Sequence, residues 1–289
     1  MNRRNLLKAL ALLPFTTHAM KLQELKNITD SFSRSELMPA FFIGHGNPMN
    51  AIEDNPFTQS LQAMGKSVEQ KPNAILVVSA HWLSRGTFVS TSPMPETIYD
   101  FGGFPAELYQ VVYPAPGSPE YAIELLKNIP EAKEDKDQGL DHGAWSVLKH
   151  MFPKADIPVF EMSIDYGQSM QYHFDLAQRL QSLRRKGVLI VGSGNIVHNL
   201  QLWFAKKDQL PYDWNTEFDE WVKERINQRD FQSLVNYEKH GSSAKLAVPT
   251  PDHYIPMLYS LGLANKEEEI KFTYEETFSA ASMRAFRIG

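Results

Sequence analysis

The chain has 289 residues, 43% hydrophobic and 22% charged, with a formal net charge of −5 and a pI near 6.0. That is enough apolar material for one large α/β domain, and it excludes both a disordered chain and a global basic field for nucleic acid. No run reaches the roughly 18–20 apolar residues of a membrane span, and cysteine is absent, so any metal must be held by nitrogen and oxygen.

Residues 1–19 read as a leader. Arg3 and Arg4 precede Leu6, Leu7 and Lys8, a short apolar stretch runs from Ala9 to Phe15, and Thr17-His18-Ala19 offers a small-x-small cleavage point. The pattern resembles a twin-arginine export signal and implies a periplasmic protein. The alternative is a basic amphipathic starter helix on a cytoplasmic one.

The catalytic domain is expected over residues 38–289. Met38 to Ile43 is an apolar run that reads as a buried strand, and His45 follows it between Gly44 and Gly46. Ala74 to Ser79 is a second such run, followed by His81. Residues 93–119 hold six of the 18 prolines, with Gly102, Gly103 and Gly117 and the aromatics Tyr99, Phe101, Phe104, Tyr109 and Tyr113. Neither a helix nor a central strand absorbs that density, so a long ordered loop is expected, a candidate wall for a pocket.

Ser118 followed by Pro119 starts a helix running to about Asn128. Asp141-His142-Gly143 precedes an apolar segment, and Ile157 to Ile164 reads as a third strand. A helix is expected from about Met170 to Lys186, stopped by Gly187. Val188 to Val191 is the fourth strand, and Gly192-Ser193-Gly194-Asn195 leads from it to His198. Phe218 to Asn227 and Asp252 to Leu261 have helical patterns, with His253 opening the second. Glu269 to Tyr274 alternates like an edge strand.

Continuous apolar strands interleaved with helices imply a single α/β domain: a central, largely parallel or mixed sheet covered by helices on both faces. In such sheets ligands gather outside the carboxyl ends of the strands. A lone histidine is more often a hydrogen-bonded surface group than a ligand. Three of them, His45, His81 and His198, each placed after a strand, point to one shared centre. His18, His150, His173 and His240 have no comparable context. The Gly192-Ser193-Gly194 turn lacks the third glycine and the Lys-Ser/Thr pair of a phosphate loop. Ser79 and Ser193 lack the nucleophile-elbow pattern.

Seven motifs follow in order: G-H-G-N-P-M-N at 44–50, S-A-H-W at 79–82, Y-D-F-G-G-F-P at 99–105, Y-P-A-P-G-S-P at 113–119, D-H-G at 141–143, S-G-N-I-V-H-N at 193–199 and P-T-P-D-H-Y at 249–254. Together they resemble the 4,5-DOPA extradiol dioxygenase family, within the class III (LigB-like) ring-cleaving dioxygenases. The resemblance implies one divalent metal per chain, Zn2+ or Fe2+ with Fe2+ expected for O2 chemistry, and a small aromatic diol and O2 as partners, with neither nucleic acid nor membrane. It implies metal-ligand roles for His45, His81, His198 and His253, and acid–base roles for His142 and His198. Asp141 is expected to orient His142, and Tyr99 and Phe101 to wall the substrate. The carboxylate that completes the iron site elsewhere in the class has no evident counterpart here. A zinc hydrolase and a non-enzymatic binding protein on the same scaffold are the competing readings.

The leader has a direct readout. Cleavage after Ala19 removes Arg3, Arg4 and Lys8 and takes the formal charge from −5 to −8. The mass of the protein recovered from the periplasm is expected to lack those 19 residues, and an intact mass would refute export by this route.

Overall fold

Ala-Ile-Leu-Val-Val-Ser at 74–79 has no polar face to turn toward water, so a strand made from it must be covered on both sides. The computed structural model describes residues 37–205 and 209–289, and the expected leader lies outside them. The main sheet has six strands, here β1 (Ala40–Gly44), β2 (Ala74–Ser79), β3 (Val159–Glu161), β4 (Val188–Gly194), β5 (Ile270–Tyr274) and β6 (Ala285–Ile288). Their order is β3-β2-β4-β1-β6-β5. The first four are parallel, while β6 runs antiparallel to both β1 and β5.

Strand residues divide by parity between two apolar layers. Phe41, Ile43, Ile75, Val77, Leu189 and Val191 face one side, packed with helices α1 (Pro56–Lys66) and α3 (His142–Met151). Phe42, Leu76, Val78, Val188, Ile190 and Phe286 face the other. There they meet α2 (Pro119–Asn128), α4 (Met170–Gln178), α5 (Asp213–Asn227) and α6 (Ile255–Gly262). Each fully buried Val, Ile, Leu or Phe contributes about 1.5–3 kcal/mol relative to exposure. The protein is therefore α/β with a mixed sheet between helical layers.

Several elements differ from expectation for local reasons. The strand at 188 continues past Val191 to Gly194, because Gly192 and Ser193 keep pairing with Phe42 and Ile43. The run 157–164 breaks after Glu161: Ser163 turns to accept the Phe88 amide, and Ile164–Asp165 pairs with Leu83–Ser84 away from the main sheet. The helix expected over 170–186 is divided into Met170–Gln178 and Gln181–Arg184. The last two helices begin at Asp213 and Ile255. Residues 93–119 form the long loop, with one 3-10 turn at Leu108–Gln110. β5 is the edge strand, but β6, unforeseen, lies between it and β1.

Gly192 and Gly194 are explained by close approach. A Cβ on Gly192 would lie 2.3 Å from the Pro256 carbonyl oxygen, and one on Gly194 would lie 2.2 Å from that of His253. The turn therefore seats α6 and its leading loop on β4. Gly192→Ala is expected to push α6 off the sheet and destabilise the fold by about 1–3 kcal/mol, the range for overpacking. Thermal unfolding checks this, and an unchanged midpoint would contradict the packing.

Candidate metal centre

Register brings the carboxyl ends of three adjacent strands level, pairing Ser79 with Ser193 and Gly44 with Gly194. His45 and His81 stand one and two residues beyond β1 and β2. The loop entering α6 supplies His253, pinned by an Asn195 N–H to His253 carbonyl bond of 2.8 Å. His142 opens α3. A side chain at Gly143 would come within 2.5 Å of Ser79 Oγ, so the glycine lets α3 approach the end of β2.

Four rings of the site, those of His45, His81, His142 and His253, turn Nδ1 toward a protein oxygen. The Ser193 hydroxyl donates to the Gly143 carbonyl at 2.6 Å, so its oxygen accepts from His45 Nδ1 at 2.9 Å. Asp100 Oδ2 lies 2.8 Å from His142 Nδ1 and 3.3 Å from His81 Nδ1. The Asp252 carboxylate accepts from His253 Nδ1. With its Nδ1 proton so committed, His45 carries a lone pair on Nε2, and that atom faces Nε2 of His81 at 3.0 Å.

Burial, then the charge of neighbouring imidazoles, holds His45 and His81 well below the usual histidine range. The same causes, with burial first and His253 second, push His198 down to about 3. These rings are neutral near pH 7. Burial alone would raise Asp100 and Asp252, but their histidine hydrogen bonds outweigh it and both stay ionised.

His45, His81 and His253 bring ligand nitrogens within 4.8 Å of one another. A tetrahedral ion with bonds of about 2.0–2.1 Å holds its donors roughly 3.3 Å apart, so the trio fits a divalent metal. A cation between the two facing Nε2 atoms would be held by both rings. His198 falls outside that trio but forms a second group with Asp252 and His253, whose ligand atoms also lie within 4.8 Å of one another. Its ring stacks on that of His253 with centroids 3.6 Å apart and planes at 12°. His142 lies on the opposite flank, its ring 3.9 Å from that of His81.

Asp141 also differs from expectation. Its carboxylate caps α3 by accepting from Ala144 N, and it takes the Ser79 hydroxyl at 2.7 Å. The carboxylate on His142 is that of Asp100, which sequence reasoning missed. An acidic residue between Tyr99 and Phe101 in an aromatic loop was the available sign. Ser79 and Ser193 are spent as hydrogen-bond relays, leaving no role as nucleophiles. Phe101 meets His142 edge-on with ring centroids 5.5 Å apart, while Tyr99 packs behind it on Trp145 and donates to the Val111 carbonyl.

The three context-free histidines among the described residues are engaged elsewhere. His150 meets the Asn50 carbonyl, His173 meets the Tyr259 hydroxyl, and His240 stacks on Trp221.

Residues 39–285 match the family model described as the catalytic LigB subunit of aromatic ring-opening dioxygenase. The chain belongs to this family of ring-opening oxidoreductases. It is 44% identical to a protein of Escherichia coli (strain K12) named 4,5-DOPA dioxygenase extradiol, covering 91% of this chain and 98% of that one. A protein of Beta vulgaris with the same name is 36% identical, covering 84% and 92%. The crystal structure of an uncharacterised protein of Escherichia coli K12 superposes with a TM-score of 0.75 at 41% identity, covering 87% of this chain and all of that one.

The depressed histidines predict an acid-sensitive metal-free protein. Unfolded imidazoles take up protons below about pH 6.5, while His45, His81 and His198 in the fold resist them. Their contribution to stability is complete above that pH and declines as pH falls toward about 3, the value for His198. Denaturant unfolding at stepped pH should show His198→Asn with a shallower slope than the parent, by up to about 1.4 kcal/mol per pH unit for one proton. Parallel slopes would contradict a neutral buried His198.

Proposed function

We propose that the protein is a metal-dependent extradiol dioxygenase that opens a catechol ring, DOPA-like or a related phenolic, with O2. The observation that carries the reading is the pair of facing Nε2 atoms on His45 and His81, joined by His253 and flanked by two further imidazoles. The names of the relatives support the catechol class.

A divalent metal held by His45, His81 and His253 would supply Lewis-acid anchoring for the phenolic oxygens and, as redox-active iron, electron transfer to O2, which zinc lacks. The chain's own residues handle protons and position. His142 presents Nε2 while Nδ1–H stays bound to Asp100. It takes a phenolic proton there, and the Asp100 carboxylate compensates the charge the ring acquires. His198, held neutral, accepts a hydrogen bond from the other side of the ring. His142 has the Asp100 carboxylate on its Nδ1, whereas His198 lies stacked on the His253 ring, and that difference in surroundings gives them different tasks. Phe101 supplies an aromatic wall for a flat substrate.

The test is anaerobic reconstitution with Fe(II), addition of a panel of catechols, then admission of O2. Oxygen uptake with a new visible absorption from the opened ring is expected. His142→Ala should keep its metal and lose about 10²–10⁴-fold in turnover, the usual share of a general acid–base group. No uptake on any catechol with a fully loaded iron site would overturn the reading, and metal-dependent ester or amide hydrolysis in that preparation would put a hydrolase in its place.

A further inference from the structure

Glu161 ends β3 in a position with no solvent exposure, and Asp141, 2% exposed, lies beside it. The mechanism above uses neither. The Asp141 amide donates to Glu161 Oε1 at 3.1 Å, and the Glu161 amide donates to Ser90 Oγ at 2.7 Å. Asp141 Oδ1 accepts from Ser79 Oγ and Ala144 N. The remaining oxygens, Asp141 Oδ2 and Glu161 Oε2, are buried without a donor. The bond from the Asp141 amide to Glu161 Oε1 sets the two carboxyl groups beside each other.

As two carboxylates this pair would be buried, mutually repelling and short of a donor on both sides. The charged groups acting on Glu161 are Asp141 and Asp100, both acidic; those acting on Asp141 are Asp100 and His142. One proton removes one charge and satisfies both orphaned oxygens.

We propose that Glu161 is a neutral carboxylic acid whose Oε2–H donates to Asp141 Oδ2, and that this shared proton positions the start of α3. Asp141 is the member that stays ionised, because Oδ1 already takes two donors and the N-terminus of α3 favours an anion. Burial first, then the charge of Asp141 on Glu161 and of Asp100 on Asp141, push both groups above the ordinary carboxyl range, Glu161 the further. The bond joins the ends of β3 and α3, and through Ser79 the end of β2. It thereby fixes His81 against His142. Its bearing on turnover rests on the dioxygenase reading; the proton itself does not.

The experiment is infrared difference spectroscopy on the full chain, metal-free and metal-loaded, at neutral pH in H2O and D2O. The parent should show the carbonyl stretch of a protonated, hydrogen-bonded carboxyl, shifted in D2O. Glu161→Gln should abolish it. Asp141→Asn should abolish it too, since its amide donates to Oε2 and allows Glu161 to ionise, so either variant suffices should the other not fold. Glu161→Gln, whose amide makes both bonds, should hold its thermal midpoint within a few degrees, whereas Glu161→Leu should fall well below. Absence of the band in the parent, or its survival in Glu161→Gln, overturns the proposal. A band present in an enzyme that cleaves no catechol would leave the pair standing and remove the dioxygenase reading.

Discussion

Two imidazole nitrogens are held facing each other 3.0 Å apart, and the fold has to fix both rings to keep them there. Much of what surrounds His45 and His81 serves this purpose. Ser193, in the middle strand of the parallel set, takes the Nδ1 proton of His45, and Asp100 faces Nδ1 of His81. With its Nδ1 proton drawn outward, His45 offers only a lone pair on the Nε2 side. Rotation of that ring would break its outward hydrogen bond in a buried setting, where an unmade bond costs about 1–3 kcal/mol. The sheet supplies the other half of the constraint by keeping the ends of β1, β2 and β4 level.

The frame was legible where one physical signal dominated. A continuous apolar run bounded by polar residues is a strand buried on two faces, and β2 begins and ends where its sequence says. Histidines placed after such runs were legible as a group, because the carboxyl edge of a parallel sheet is shared ground. What escaped was whatever depended on a partner distant in sequence. β6 carries Arg287 among only four residues, too few to alternate convincingly, and is a strand because β1 and β5 flank it. Asp141 adjoins His142 in sequence, yet helix capping claims its carboxylate. Asp100, 42 residues away, is delivered to the ring by a loop whose path no local pattern encodes.

The aromatic loop belongs to both accounts. Its prolines and glycines announced irregular backbone, and its aromatic residues announced burial. Which ring faces the histidines follows from how Trp145 anchors it: the indole N–H takes the Ile98 carbonyl, Tyr99 packs on the indole, and Phe101 and Asp100 reach His142 together. One segment therefore brings both an apolar wall and a charge to the same imidazole.

The insertion of β6 beside β1 has a consequence for the order in which the site can be built. Gly44 bonds to the Arg284 carbonyl, Asn195 to the Ser282 carbonyl, and His198 bridges to Ala281. Two of the loops that carry the histidines are thus braced by residues that follow every one of those histidines in the chain. While residues 280–288 are still inside the ribosome, β1 lacks one neighbour and the His198 loop lacks its support. The pocket between the histidines is accordingly completed only after all of them have been synthesised.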